Sequence, residues 1–318
     1  MKMNNSLSKT IQRNYNDPKS KIVFQWAPII FQHVNLKNPL RDMLCSINYD
    51  GDWNTSNNRI NLRKFDLIPV VYYSFAETLT HYYILYCFYH ADDLTHENDL
   101  EGCLVIVDKD KSLLLGMITI AHFDFYSYVF ENRLNEGREN IDGVLYAEKL
   151  EVSGSEHPLV TQELNKHGCY AWKGMPRWMF WNRCYSWNCN KCKPWWMFWG
   201  RRDSLDCTGI KYIPSDKAIM PDPYKIKDFN DTQYGYVLID ILGPDGFWNK
   251  RDHIVNPLTF KSWGIFNSST IGSASAPWAW DDFDDNLATG TIFFDPVTIT
   301  SKYFDSNFNN NYVKYMNE

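Results

Sequence analysis

The sequence predicts an all-β fold, an antiparallel β-sandwich with long loops, on three observations. Aromatic residues make up 16% of the 318 residues, with 13 Trp and 20 Tyr, and such side chains favour pleated, half-buried surfaces. Short β-branched and aromatic runs recur between turn residues, the spacing of a sandwich or barrel rather than of βαβ units. Long apolar patterns at helical spacing are scarce. A chain this long, 44% hydrophobic and 22% charged, buries a large core in one elaborated domain.

Residues 1–20 read as a frayed polar arm. Lys21–Trp26 (KIVFQW) is strand-like, and PIIFQHV follows from Pro28. Asn48 to Arg63 is rich in turn residues and reads as a loop. Strands are then predicted at Ile68–Phe75, His81–Tyr89, Gly102–Val107 and Leu113–His122, with Asp108-Lys109-Asp110 as one turn. Pro158–Leu164 and Tyr234–Ile241 continue the pattern, Asn249–Asn256 suits a short helix, and Thr291–Phe294 reads as a last edge strand. One domain is expected over 21–305, with an insertion at 173–208 and a loose Asn-rich tail at 306–318.

The formal net charge of −6 argues against general nucleic-acid affinity, which needs a basic face. Met1–Ser20 holds no apolar stretch of the signal-peptide kind, and no run of eighteen apolar residues occurs anywhere. A cytoplasmic location is therefore expected, peripheral to a membrane if attached to one. The eight cysteines are expected to be reduced or metal-bound.

The stretch His96-Glu97-Asn98-Asp99-Leu100-Glu101 carries the chemistry. Side chains alternate along a strand, so Asp99 and Glu101 share a face, and His96 precedes them by a turn. Asp92 and Asp93 close the previous strand. Carboxylates held side by side repel and require a cation, a shared proton or solvent. One His with two or three acids is an oxygen-dominated set that suits Mg²⁺, Mn²⁺ or Ca²⁺ better than structural zinc. A solvated turn before a strand is the plainer alternative.

The run FYHADDLTHENDLEG resembles the metal-site signature of the necrosis- and ethylene-inducing-peptide-like proteins, in which an aromatic strand ends in Asp before a Gly-His-Arg-His-Asp-Trp-Glu run. His96, Asp99 and Glu101 keep its H-x-x-D-x-E spacing, and Asp92 falls on the preceding Asp. The stretch is also similar to the vacuolar-protein-sorting family of fungi and plants, with its His-Glu-Gly-Asp-Trp-Glu run. His157-Pro158 and Lys166-His167-Gly168-Cys169-Tyr170 resemble further segments of that family. These resemblances imply a β-sandwich with a divalent metal at Asp92, His96, Asp99 and Glu101. Apart from the resemblance, His122 and His167 are candidates for supporting groups or, beside His96, for proton carriers in a metal-dependent hydrolase. Leu100 stands where those families have Trp, and Asn98 where the second His would be.

Residues 173–202 hold Trp178, Trp181, Trp187, Trp195, Trp196 and Trp199 among seven basic residues and no acid. Cys184, Cys189 and Cys192 follow C-x4-C-x2-C spacing, with Cys207 beyond. Four thiolates make a candidate structural zinc site, and free thiols or a disulfide are the alternative. The aromatic–basic mixture admits a satellite core, a membrane-surface wedge or a single-strand nucleic-acid groove. The membrane reading, with Trp178, Trp181, Trp195, Trp196 and Trp199 as contacts, ranks above nucleic acid, because the Trp-Met-Phe-Trp runs are too apolar for a stacking groove.

Asp281-Asp282-Phe283-Asp284-Asp285 lacks the Gly and distal Glu of an EF-hand and reads as a solvated turn. His122 and His253 stand alone in the sequence as core or surface groups. No G-x-S-x-G elbow occurs, and Ser153-Gly154-Ser155 lacks its strand-turn-helix context. The sequence thus points to a divalent-metal-binding β-sandwich that recognises lipid headgroups or glycans, at an anionic membrane surface or on a glycan. A metal-dependent hydrolase of a phosphoester or ester is the alternative.

Overall fold

The computed structural model describes residues 10–94, 96–122, 124–132, 141–151, 153–172, 208–250, 276–282, 287–304 and 311–314. Its strands are β1 (Thr10–Gln12), β2 (Ile29–His33), β3 (Val70–Thr78), β4 (His81–Asp92), β5 (Glu97–Asp108), β6 (Leu113–Ala121), β7 (Asp124–Val129) and β8 (Gly143–Val144). They continue with β9 (Ala147–Lys149), β10 (Glu156–Gln162), β11 (Cys169–Ala171), β12 (Gly209–Pro214), β13 (Lys217–Ile219), β14 (Gln233–Asp240) and β15 (Tyr312–Lys314). The all-β reading holds. One large sheet runs β11-β10-β2-β12-β14-β3-β4-β5-β6-β7-β8, with β9 on β10 and β15 on β3. It curls until β11 lies against β5 and β6.

The antiparallel expectation needs correction. β10 pairs with β2, β12 with β14, β14 with β3 and β7 with β8 in parallel. Local turns reveal hairpins such as β3–β4–β5–β6, whereas parallel neighbours meet through long connections that carry no turn signature. The core is aliphatic and aromatic: Ile84, Tyr86 and Phe88 of β4 and Leu104, Val105 and Val107 of β5 are fully buried.

Several elements differ from their sequence reading. Lys21–Trp26 is not a strand: Lys21–Gln25 forms the later part of helix α1 (Pro18–Gln25) and Trp26 caps its end, while Asp17 caps its start by accepting from the Ser20 N–H at 2.9 Å. The Asp-Pro pair at that start is a helix signal, N-cap followed by proline in the first turn. Within the polar arm, β1 pairs with β13, and Lys19 reaches Asp240 at 2.6 Å. The Asn48–Arg63 loop contains the short helix α2 (Asn58–Asn61). Thr291–Phe294 is helix α3, entered through Gly290 at φ 79° and followed by α4 (Pro296–Tyr303). Trp248–Lys250 form a 3₁₀ turn, and the rest of the expected helix lies outside the described residues. In the tail, β15 pairs with β3.

The insertion expected at 173–208 falls outside the described residues up to position 207. So do Trp178, Trp181, Trp195, Trp196, Trp199, Cys184, Cys189, Cys192, Cys207 and His253. Cys45, Cys87, Cys103 and Cys169 are buried free thiols. No helix among the described residues is long and apolar enough to cross a membrane.

Candidate functional site

Three segments converge at one end of the curled sheet. The β4–β5 hairpin sets His90 opposite Asp99 and Phe88 opposite Glu101. The β6–β7 turn brings His122, whose backbone N–H donates to Glu101 Oε1 at 3.0 Å. The β10–β11 turn brings Glu163 and His167, closed by the Glu163 N–H on the Gly168 carbonyl. Among the described residues, Asn98, Ser112, His122, Asn165 and His167 are the non-glycine positions with positive φ. Four of these five belong to the convergence, and strained backbone held by its surroundings gathers at functional sites.

Asp42, His90, Asp99, Glu101 and His167 are at most 1% exposed. His167 bridges two carboxylates, Nδ1 to Asp99 Oδ2 at 2.8 Å and Nε2 to Asp42 Oδ1 at 3.2 Å. Burial alone would push its imidazole down, but hydrogen bonds to Asp42 and Asp99 prevail and raise it from 6.5 to about 10. His90 stacks flat on that ring at 3.8 Å between centroids. Burial, reinforced by the His167 cation, holds His90 well below its ordinary range and therefore neutral. Neither of its ring nitrogens has a partner of good hydrogen-bond geometry.

A second imidazole–carboxylate set adjoins the first. His122 Nε2 lies 2.9 Å from Glu163 Oε2, and Nδ1 lies 3.5 Å from Glu101 Oε1. Burial opposes protonation of His122, but Glu163 and Glu101 outweigh it and lift the group to about 9. Glu101 is raised in its turn, by burial first and by the charge of Asp99 second. The His122 side chain is 26% exposed against 0% for Glu101, so this imidazole is where the acidic interior meets solvent.

Of the residues singled out in the sequence, Asp99, Glu101, His122 and His167 come together here. His96 stands at the rim, Nδ1 3.0 Å from the Asn98 carbonyl and Nε2 3.6 Å from Asp93 Oδ1. Asp92 is turned elsewhere: it is clamped between Arg41 at 3.1 Å and Arg59. Its neighbour Asp93 offers an oxygen within 4.8 Å of ligand atoms of Asp99 and His167. Strand alternation stops governing side-chain direction where β4 ends at Asp92. His122 is not the isolated group that the sequence suggested. Sequence reasoning missed Asp42, His90 and Glu163, which no local motif marks. Asp282 is a structural group, accepting from the Phe125 N–H at 3.4 Å and from the Tyr303 hydroxyl.

Whether these groups suit a cation is a question of unused acceptors. Asp99 Oδ1, Glu101 Oε2 and Glu163 Oε1 are buried oxygens without a hydrogen-bond partner. Buried carboxylate oxygens left unpaired are costly, and a hard divalent ion satisfies them. Both nitrogens of His167 are engaged by carboxylates, so His167 orients Asp99 rather than serving as a ligand. Gly168 packs directly over the second set. A Cβ there would lie 3.0 Å from both Glu163 Oε2 and His122 Nε2. Gly168→Ala is expected to destabilise the fold by about 1–3 kcal/mol through overpacking. Urea denaturation measures this, and the His122 imidazole resonances should shift in the same variant.

No family model and no curated protein matches the chain. Some solved structures are similar to part of it. NLPPya in complex with glucosamine aligns with TM-score 0.31 and 12% identity over 51% of this chain and 70% of its own. NLPPya in complex with mannosamine aligns with TM-score 0.30 and 13% identity over 51% and 70%. Necrosis and Ethylene inducing Protein 2, from the causal agent of cocoa's Witches Broom disease, gives 0.24 and 16% over 52% and 79%. These neighbours are necrosis- and ethylene-inducing proteins at low identity and partial coverage, and they lend no support to the vacuolar-protein-sorting resemblance.

Proposed function

We propose that the chain binds a divalent cation through Asp99 and Glu101 and uses it to recognise the hydroxyl or anionic oxygens of a glycan or lipid headgroup. One observation carries the reading: Asp99 Oδ1 and Glu101 Oε2 are buried, acidic and unpaired. Their chemistry favours Mg²⁺, Mn²⁺ or Ca²⁺, and such an ion, when bound, supplies Lewis-acid coordination to a ligand oxygen. Asp42 and His167 would hold Asp99 in place, as outer partners of a ligating carboxylate do. Arg41 and Arg59 pair with Asp92 and Lys166 lies 3.7 Å from Asp93, with side-chain exposures of 18%, 41% and 33%. These cationic side chains suit an anionic headgroup or an acidic sugar.

Calorimetric titration of EDTA-treated protein with CaCl₂, MgCl₂ and MnCl₂ tests the first half. Asp99→Ala is expected to weaken binding at least about tenfold, whereas Asp92→Asn is expected to retain it. Uptake should release protons, because a cation takes over the charge balance that His122 and His167 provide. No metal in elemental analysis of the wild-type chain after dialysis against these salts would sink the reading. Flotation with anionic liposomes, with and without EDTA, tests the second half. Glucosamine and mannosamine serve as soluble probes, and metal-independent binding would count against recognition through the ion.

The alternative, metal-dependent hydrolysis of a phosphoester or ester, draws on His122. This imidazole reaches solvent, is hydrogen-bonded to Glu163, and is raised to about 9 by its carboxylates. At neutral pH it is a proton donor, the state a general acid needs. Turnover of a phosphodiester or carboxyl ester that His122→Gln removes while metal binding persists would favour this reading.

A further inference from the structure

The Ser153-Gly154-Ser155 turn between β9 and β10 holds an arrangement that the acidic site does not use. His157, on β10, is fully buried, and its Nδ1 lies 2.6 Å from the Ala27 carbonyl oxygen. A carbonyl only accepts, so Nδ1 carries the proton and Nε2 presents a lone pair. That lone pair faces Ser153 Oγ at 2.5 Å, so the hydroxyl donates to it. The Leu150 carbonyl is a weaker competing acceptor at 3.4 Å. The Ser155 N–H donates to the same Oγ at 3.2 Å and favours negative charge developing there. Burial keeps the imidazole below its ordinary range, so at neutral pH the ring is neutral and its Nε2 lone pair is available as an acceptor. Ser153 is half-buried beside exposed Gly154, Glu151 and Glu156, so the hydroxyl sits where the chain meets water.

A nucleophile, a base within reach and a third group fixing the base's tautomer are the parts that activate serine. Here a backbone carbonyl plays the third part. We propose that Ser153 is a nucleophile activated by His157 and directed at uncharged acyl esters. Glu148 is paired with Lys211 at 2.9 Å and Glu156 stands opposite Lys149 across β9 and β10, so most of the acidic charge around the turn is offset and an uncharged substrate fits it best. Oγ bonds to the acyl carbon while its proton passes to His157 Nε2. The carbon–oxygen bond to the alcohol then breaks, and the departing alkoxide takes that proton from Nε2. The products are acyl-Ser153 and the free alcohol. Water follows the same route to release the acid and restore the hydroxyl. This site is separate from Asp99 and Glu101 and stands or falls without them.

The test is labelling of the full chain with a fluorophosphonate, read by intact mass and peptide mapping, beside p-nitrophenyl acetate turnover. One adduct on Ser153 is expected, absent in Ser153→Ala. His157→Gln should slow labelling by about 100-fold or more, the contribution of a positioned general base. No adduct on Ser153, or an unchanged rate in a folded His157→Gln chain, overturns the proposal and leaves the hydroxyl as a cap on a buried nitrogen. If His157→Gln does not fold, Ser153→Cys reads the same base. Its thiol should react with iodoacetamide at pH 6 at least about tenfold faster than a cysteine peptide, and a rate equal to the peptide's overturns the proposal.

Discussion

Replacing Asp42 by alanine is expected to destabilise the metal-free protein by about 3–5 kcal/mol, the cost of breaking a buried ion pair from one side. Asp42 Oδ1 accepts from the Asn165 N–H at 2.7 Å and faces His167 Nε2 at 3.2 Å, and Oδ2 accepts from the Asn35 N–H at 2.7 Å. Alanine strands the Asn165 N–H and the His167 Nε2–H in the interior, where each unsatisfied group carries its full desolvation penalty, while the half-buried Asn35 N–H can turn to water. His167 would keep only Asp99, and the turn holding Glu163 and Gly168 would lose its anchor to the Pro39–Asp42 segment. Guanidinium denaturation in EDTA measures the loss. A change under about 1 kcal/mol would mean that water already serves these donors. Asp42→Asn should cost less, since its amide oxygen still accepts.

The second large effect is on pH. His122 and His167 are raised from 6.5 to about 9 and about 10 in the folded chain. Between pH 6.5 and those values the folded state binds more protons than the unfolded state, so stability falls as pH rises. Every tenfold gain in proton affinity on folding corresponds to about 1.4 kcal/mol before water penetration weakens it, so the total loss by pH 9.5 is several kcal/mol. Glu101, also raised, contributes with the same sign from its ordinary 4.5 upward. Below pH 6.5 the buried His90, His81 and His157, all lowered by burial, act oppositely, because the unfolded state then takes up protons that the folded state refuses. Stability should therefore peak at or just below pH 6.5, with the steeper limb on the alkaline side. Thermal unfolding in EDTA from pH 5 to 9.5 checks this. An alkaline limb that is flat, or that His167→Gln leaves unchanged, would remove the ion-paired imidazole from the account.

The sequence made the local parts of this molecule readable and left the distant ones hidden. Alternation along Glu97–Asp108 set Asp99 and Glu101 on one face, and the turn residues around Asp108–Asp110 marked the hairpin that continues the sheet. His167 stood out through a resemblance rather than through any pattern, and its two carboxylates lie 68 and 125 residues away. No periodicity links such positions. The arginine clamp on Asp92 was equally invisible, since Arg41 and Arg59 stand 51 and 33 residues from it. Helix α1 was legible in principle, through Asp17-Pro18, but its apolar run also suits a strand.

The path of β2 has a consequence for synthesis of the chain. It is an early segment flanked by β10 and β12, both made much later. A nascent chain on the ribosome therefore carries residues 29–33 with no sheet neighbour until about 130 further residues have emerged. Until then the β4–β5 ribbon displays its carboxylates without the His167 that balances them. Chaperone capture or proteolysis should concentrate in that interval, and release of the finished protein should wait on the closing of β10 against β2.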